Sequence, residues 1–151
     1  MIEFTSIEEI LDFAIREEQA AVDFYLILAA QSKNEQTKKV FMEYAGEEMR
    51  HKSFLLKVKE EGNFVMSGET VRDLKIAEYL VDVKPSANMS YQDALILAMK
   101  KEKAAFRMYS ALAAKADNPS VKALFLNLAM EESKHKLSFE LEYDDYILKE
   151  N

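Results

Sequence analysis

The sequence predicts an all-α protein, a bundle of four long helices paired into two antiparallel hairpins joined by a long crossover. Three observations predict it. Glycine (3) and proline (2) are scarce among the 151 residues. That argues against an all-β fold with its many turns, and against a long disordered linker. Alanine, leucine, glutamate and lysine are abundant, and these have the best helix propensities. Apolar residues also recur at three- and four-residue spacing through four long stretches. The length fits one domain, 1–151. A chain this long can bury roughly 70% of the surface its unfolded form exposes.

The first helix is expected over 7–32. Ser6 with Glu9 reads as a capping box, and Leu11, Ala14, Ile15, Glu18, Val22, Tyr25, Leu28 and Ala29 form its stripe. Asn34 reads as a cap or turn. The second helix, 35–61, carries Val40, Phe41, Tyr44, Glu48, His51, Leu55 and Val58 and stops at Gly62. The connection 63–90 is punctuated by Gly68, Pro85, Ser86, Asn88 and Ser90, and could hold a short helix over 70–83. Ser90 with Asp93 starts the third helix, 91–116, whose face is Leu95, Ala98, Glu102, Phe106, Tyr109 and Leu112. Asn118–Pro119 starts the fourth, 119–148, with Val121, Leu124, Phe125, Leu128, Glu132, His135 and Phe139. Short links make hairpins of 7–61 and 91–148. The long connection can run the length of a bundle, which is the ferritin-like topology.

Charge and composition exclude several function classes. The net charge is −7 and no basic face stands out, so no nucleic-acid partner is expected. With no cysteine, disulfides, iron–sulfur clusters, thiolate zinc sites and cysteine nucleophiles are excluded. The first residues carry Glu3, Glu8, Glu9 and Asp12, unlike the basic start of a secretory signal. No stretch has the apolar length of a membrane span. A cytoplasmic protein without membrane association is expected.

The two hairpins match without a gap at an offset of 84, with 17 identities between 11–52 and 95–136. Alanine matches count for little in alanine-rich helices. Glu18/Glu102, Tyr25/Tyr109, Asn34/Asn118, Phe41/Phe125, Glu48/Glu132 and His51/His135 count for more. Shared packing alone would be the bland explanation. Duplication of one hairpin explains the chemistry-bearing matches better, and it builds a site with near two-fold symmetry.

Glu48-Met-Arg-His51 and Glu132-Ser-Lys-His135 are both Glu-x-x-His. Residues i and i+3 share a helix face, so each pair can offer an oxygen and a nitrogen to one ion. Glu18 and Glu102 add a carboxylate from each remaining helix. These six are the ligand set of ferritin-like di-iron and di-manganese carboxylate proteins. All six fall on apolar stripes, where an unpartnered charge is costly. Two divalent cations would balance four carboxylates. A lone Glu-x-x-His is more often solvated surface, and a lone core histidine is more often hydrogen-bonded than a ligand. Here both histidines of the chain lie in the same motif, each 33 residues after its glutamate. Tyr25 and Tyr109 lie two turns beyond Glu18 and Glu102 and are expected to hydrogen-bond a ligand carboxylate. The eight methionines read as core filler.

At these residues the chain resembles the rubrerythrin-like branch of the ferritin-like di-iron carboxylate superfamily. The segments 14–25 and 98–109 look like that family's first and third helices. The resemblance implies two iron ions, with manganese or zinc as alternatives. It implies that Glu48 and Glu132 bridge the metals, Glu18 and Glu102 are terminal carboxylates, and His51 and His135 each cap one metal. Two departures matter. The family often carries a rubredoxin domain with a four-cysteine iron, and this chain has no cysteine. It also carries an extra ligand glutamate three residues after the third-helix glutamate, where this chain has Ala105. The family's peroxide mechanism, with its metal shift between histidine and glutamate, does not carry over whole.

The function expected is a di-iron oxidoreductase that reduces peroxide or dioxygen with electrons from a separate donor protein. The alternatives are ferrous-iron oxidation with storage, and a non-redox zinc or manganese bundle. Storage needs a cage, usually with a short helix after the bundle, while the fourth predicted helix runs nearly to Asn151. By analogy with small ferritin-like domains, which commonly pair through their first two helices, a homodimer is expected.

Overall fold

The structure is a computed structural model that describes residues 3–79 and 89–150. Its elements in order are α1 (Ile7–Gln31), α2 (Glu35–Glu61), α3 (Gly68–Leu74), a 3-10 turn (Ile76–Tyr79), α4 (Tyr91–Lys115) and α5 (Pro119–Glu150). The described residues contain no strand, so the fold class is the all-α class the sequence predicts. The chain divides into two compact units, one ending at Leu74 and the other beginning at Lys75.

In the first unit α1 packs against α2. The pairing is antiparallel, because one residue number rises as its partner's falls. Asp12 meets Lys59, Gln19 meets Lys52, and Tyr25 meets Tyr44. Local chemistry sets the helix ends. The Ser6 hydroxyl accepts the Glu9 N–H at 3.2 Å. The Glu9 carboxylate in turn accepts the Thr5 N–H at 3.1 Å and the Thr5 hydroxyl at 2.5 Å. Those bonds hold the Glu9 carboxyl below the ordinary glutamate range. Asn34 Oδ1 accepts from Gln36 N–H and Thr37 N–H and starts α2. Gly62 ends α2 with φ +64°, a left-handed conformation that a side chain would strain.

The second unit repeats this plan. α4 packs against α5. Ser90 caps α4 by accepting the Asp93 N–H at 3.1 Å, and Asn118 Oδ1 accepts from Ser120 N–H and Val121 N–H. Tyr91 donates its hydroxyl to Glu142 at 3.1 Å. Tyr146 lies beyond the position of α5 that matches Glu61 of α2, and its ring packs on Tyr91 at 5.1 Å.

The connection differs from the single short helix expected over 70–83. α3 starts earlier, at Gly68, and stops at Leu74, with a separate 3-10 turn after it. Lys75 lies between them at φ 52°, which ends the α-helical hydrogen-bond ladder. Residues 80–83, with Pro85, Ser86 and Asn88, lie outside the described residues. One stripe position also differs. Phe106 is 39% exposed, whereas Met108 is buried. At about 100° per residue, position 106 falls at the edge of the arc that α4 buries.

Candidate metal centre

In the first unit α1 supplies Glu18, and α2 supplies Glu48 and His51 from one face. His51 Nδ1 stands 3.6 Å from Glu18 Oε2 and 3.5 Å from Glu48 Oε1. In the second unit α4 supplies Glu102, and α5 supplies Glu132 and His135. His135 Nδ1 stands 3.7 Å from Glu102 Oε2 and 3.6 Å from Glu132 Oε1. The two triads therefore agree to 0.1 Å in these spacings. All six residues are at most 2% exposed. Within each triad the candidate ligand atoms lie within 4.8 Å of one another.

The register that makes each triad is held locally. Lys52, next to His51, donates to Gln19, next to Glu18, at 2.8 Å. In the second unit the matching positions are Lys136 and Lys103, two cations, and Lys136 pairs instead with Glu140 one turn along α5. Packing of Tyr109 on Phe125, rings 5.9 Å apart, bridges α4 and α5 there.

The donor set fits a divalent cation. Two carboxylates and an imidazole are the ligands that manganese, iron and zinc accept. Two donors each about 2.1 Å from one ion, at tetrahedral to trigonal angles, stand about 3.4–3.6 Å apart. The observed nitrogen–oxygen spacings are of that size. Charge points the same way. Burial pushes the Glu102 carboxyl above the ordinary glutamate range, against the hydrogen bond and charge of His135 and the hydrogen bond of Glu132. A divalent cation would offset the two carboxylates of one triad and relieve that cost.

Tyr25 and Tyr109 are each 1% exposed and face their hairpin cores. Tyr25 lies against Phe24 and edge-on to Tyr44, at 6.1 and 6.3 Å between rings. Sequence reasoning missed one feature of the surface. Met42, Met49 and Met130 are 52%, 42% and 57% exposed, so they are not core filler, although Met108 is. Counting three- and four-residue spacings finds the buried stripe of a helix but not a second apolar stripe on its far side.

Two buried carboxylate–imidazole triads on antiparallel helical hairpins define an all-α protein of the metal-binding carboxylate class. The Rubrerythrin family model matches residues 9–91 and 93–151, and the chain belongs to the Rubrerythrin family. This is a family of di-iron carboxylate proteins. No curated protein and no solved structure is significantly similar to the chain. Among the described residues no helix is long and apolar enough to cross a membrane.

Proposed function

We propose that this chain is a di-iron oxidoreductase that reduces peroxide or dioxygen with electrons from a separate donor protein. The observation that carries the reading is the pair of buried triads, Glu18–Glu48–His51 and Glu102–Glu132–His135, with matching spacings. Family membership supports iron as the metal. By the family resemblance these six residues would be the ligands of two metal ions, with Glu48 and Glu132 as the shared carboxylates, Glu18 and Glu102 as the terminal ones, and His51 and His135 as one cap each. The 84-residue repeat is then the product of hairpin duplication.

A ferrous pair supplies two electrons together, which is what reduction of one peroxide to two waters consumes along with two protons. The protein's own residues do the rest. Four glutamates offset the metal charge and favour the oxidised state, while the imidazoles help to retain the reduced one. Protons must also reach the departing oxygen, and bound solvent or a ligand glutamate would carry them. Tyr25 and Tyr109 orient ligand carboxylates through their hydroxyls. Ala105 stands where the family's extra glutamate would be, so the reading includes no movement of metal toward that position.

The test is anaerobic reconstitution with ferrous iron, counting metal per chain, then stopped-flow absorbance on adding one equivalent of peroxide or dioxygen. About two irons per chain that oxidise together support the reading, and the faster oxidant names the substrate. Ferric iron accumulating far beyond that ratio in large particles would replace it with storage. Metal that binds but never oxidises would replace it with a non-redox bundle.

A further inference from the structure

The first and third long helices match inside their hairpins but differ in charge outside. α1 has one cation, Arg16, against six acidic residues. α4 has five cations against two acidic residues, and one of those two, Glu102, is buried in its triad. The net charge of −7 hides this cationic helix when the chain is counted as a whole. On the first hairpin the outward face satisfies itself. Gln19 accepts from Lys52 at 2.8 Å and donates to Asp23 at 3.2 Å. On the second hairpin the same three places hold Lys103, Lys136 and Arg107, all cations.

The exchange costs the helix stability. Like charges four residues apart repel, so Lys103 with Arg107 weakens α4 where Gln19 with Asp23 supports α1. Lys100, Lys103 and Arg107 are all exposed. At about 100° per residue they fall within about 60° of one another, on the side away from Ala98, Glu102 and Tyr109. Phe106, 39% exposed, flanks Lys103, whereas its counterpart Val22 is buried. A part-exposed aromatic ring beside an arginine and two lysines has the make-up of a protein contact, an apolar anchor with a charged rim.

We propose that this face of α4 is the docking surface for the electron-donor protein, and that the donor meets it with an acidic patch. The proposal rests on the reading of the chain as an oxidoreductase fed by a separate donor. Charge complementarity selects the occupant. Three clustered cations attract a compact acidic patch at short range, whereas a long nucleic acid also meets the negative remainder of the chain. Position suits electron entry. Lys103 adjoins Glu102 in the sequence, so a docked donor is separated from the second triad by one helix thickness, about 10–12 Å. Each docking passes one electron, so the donor is oxidised by one and one ferric ion becomes ferrous. Two dockings in turn restore the two ferrous ions that one peroxide oxidises.

The probe is a plant-type ferredoxin, a small acidic one-electron carrier. Titration calorimetry of the full chain with oxidised ferredoxin reads docking without electron transfer. The key variant is Lys103→Gln with Arg107→Asp, which installs on α4 the pair that α1 already accommodates as Gln19 and Asp23. It should fold at least as stably as the wild type, yet raise the ferredoxin Kd about tenfold or more at low salt. Lys38→Gln with Lys39→Glu makes the same change in net charge on α2 and should leave the Kd within about twofold. Phe106→Ala should weaken docking without changing its salt dependence. In stopped flow, reduction of the ferric centre by ferredoxin slows in the α4 variant, while reduction by dithionite does not. Absence of ferredoxin binding at low salt overturns the proposal. So does an equal loss in the α2 variant, a matching loss with dithionite, or duplex DNA that binds this face more tightly than ferredoxin. A centre that never cycles, with docking as expected, overturns the proposed function and leaves the docking face supported.

Discussion

The two hairpins are alike inside and different outside. Inside, the histidine–carboxylate spacings agree to 0.1 Å, and Tyr25 and Tyr109 are buried alike at 1% exposure. Outside, Gly46 and Ser53 of α2 correspond to Met130 and Leu137 of α5. Around the triads the supports differ as well. Lys52 bonds Gln19 across the first hairpin, whereas Lys136 turns along its own helix to Glu140. The difference teaches which positions the chemistry holds. A metal ligand must sit within a few tenths of an ångström of its place, while a register-holding contact can be met by several residue pairs. An outward face answers to whatever packs on it.

The largest expected effect tests whether the two cores are energetically equal. Phe41 and Phe125, both almost fully buried, occupy matching places. Phe41→Ala and Phe125→Ala should each cost about 3–5 kcal/mol, from lost burial plus the cavity left behind. Chemical denaturation of the metal-free protein reads this directly. Equal losses support equivalent hairpins. A loss confined to one variant would show that the hairpins unfold as separate units of unequal stability.

Next comes the metal. Glu48→Ala and Glu132→Ala should each abolish pairwise metal binding, because in the proposed centre each carboxylate serves both ions. The loss appears as metal per chain and as thermal stabilisation, which a bound metal at 100 times its Kd raises by about 2.7 kcal/mol. Two metals retained at full affinity in both variants would sink the bridging assignment. Loss of one metal in each variant would leave two independent triads.

Glu102 sharpens the comparison through pH. Burial raises its carboxyl above the ordinary glutamate value of 4.5 in the folded protein. A raised acid pKa means that the folded state holds its proton more tightly than the unfolded state. Relative stability is therefore greatest below about 4.5 and falls as pH climbs from there to the folded pKa. Above that, the cost of the buried charge is constant. Glu102→Gln should flatten this fall in metal-free protein, with a gain in midpoint of a few degrees near neutral pH. It should also weaken metal binding. Titrations of the wild type and the variant that overlay would show that Glu102 ionises without penalty.

Much of this was legible in the residues alone, for a physical reason. The caps at Ser6, Asn34, Ser90 and Asn118, and the left-handed stop at Gly62, depend on local chemistry that one residue type announces. The triad positions were legible because a charged residue on an apolar stripe is costly without a partner. The break at Lys75 was not, since nothing in a lysine signals a positive φ. Nor was the exposed stripe of α2, since a methionine reads the same whether it packs inward or awaits a second surface.

The smallest expected effect lies at the start of α1. The Glu9 carboxylate accepts from the Thr5 hydroxyl and the Thr5 N–H, and these bonds hold its pKa below the ordinary glutamate value of 4.5. A lowered acid pKa means that the unfolded state takes up its proton first. The stabilisation is therefore complete above about 4.5 and is lost as pH falls through the folded pKa. Glu9 is fully exposed, so solvent screening keeps the effect small. Glu9→Gln keeps a side-chain oxygen for Thr5 but removes the charge near the helix N-terminus. The variant should match the wild type in acid and fall slightly below it at neutral pH, with faster amide exchange confined to the first turn of α1. Equal exchange at neutral pH in both proteins would show that the Ser6 cap alone starts the helix, and that the carboxylate of Glu9 adds nothing to it.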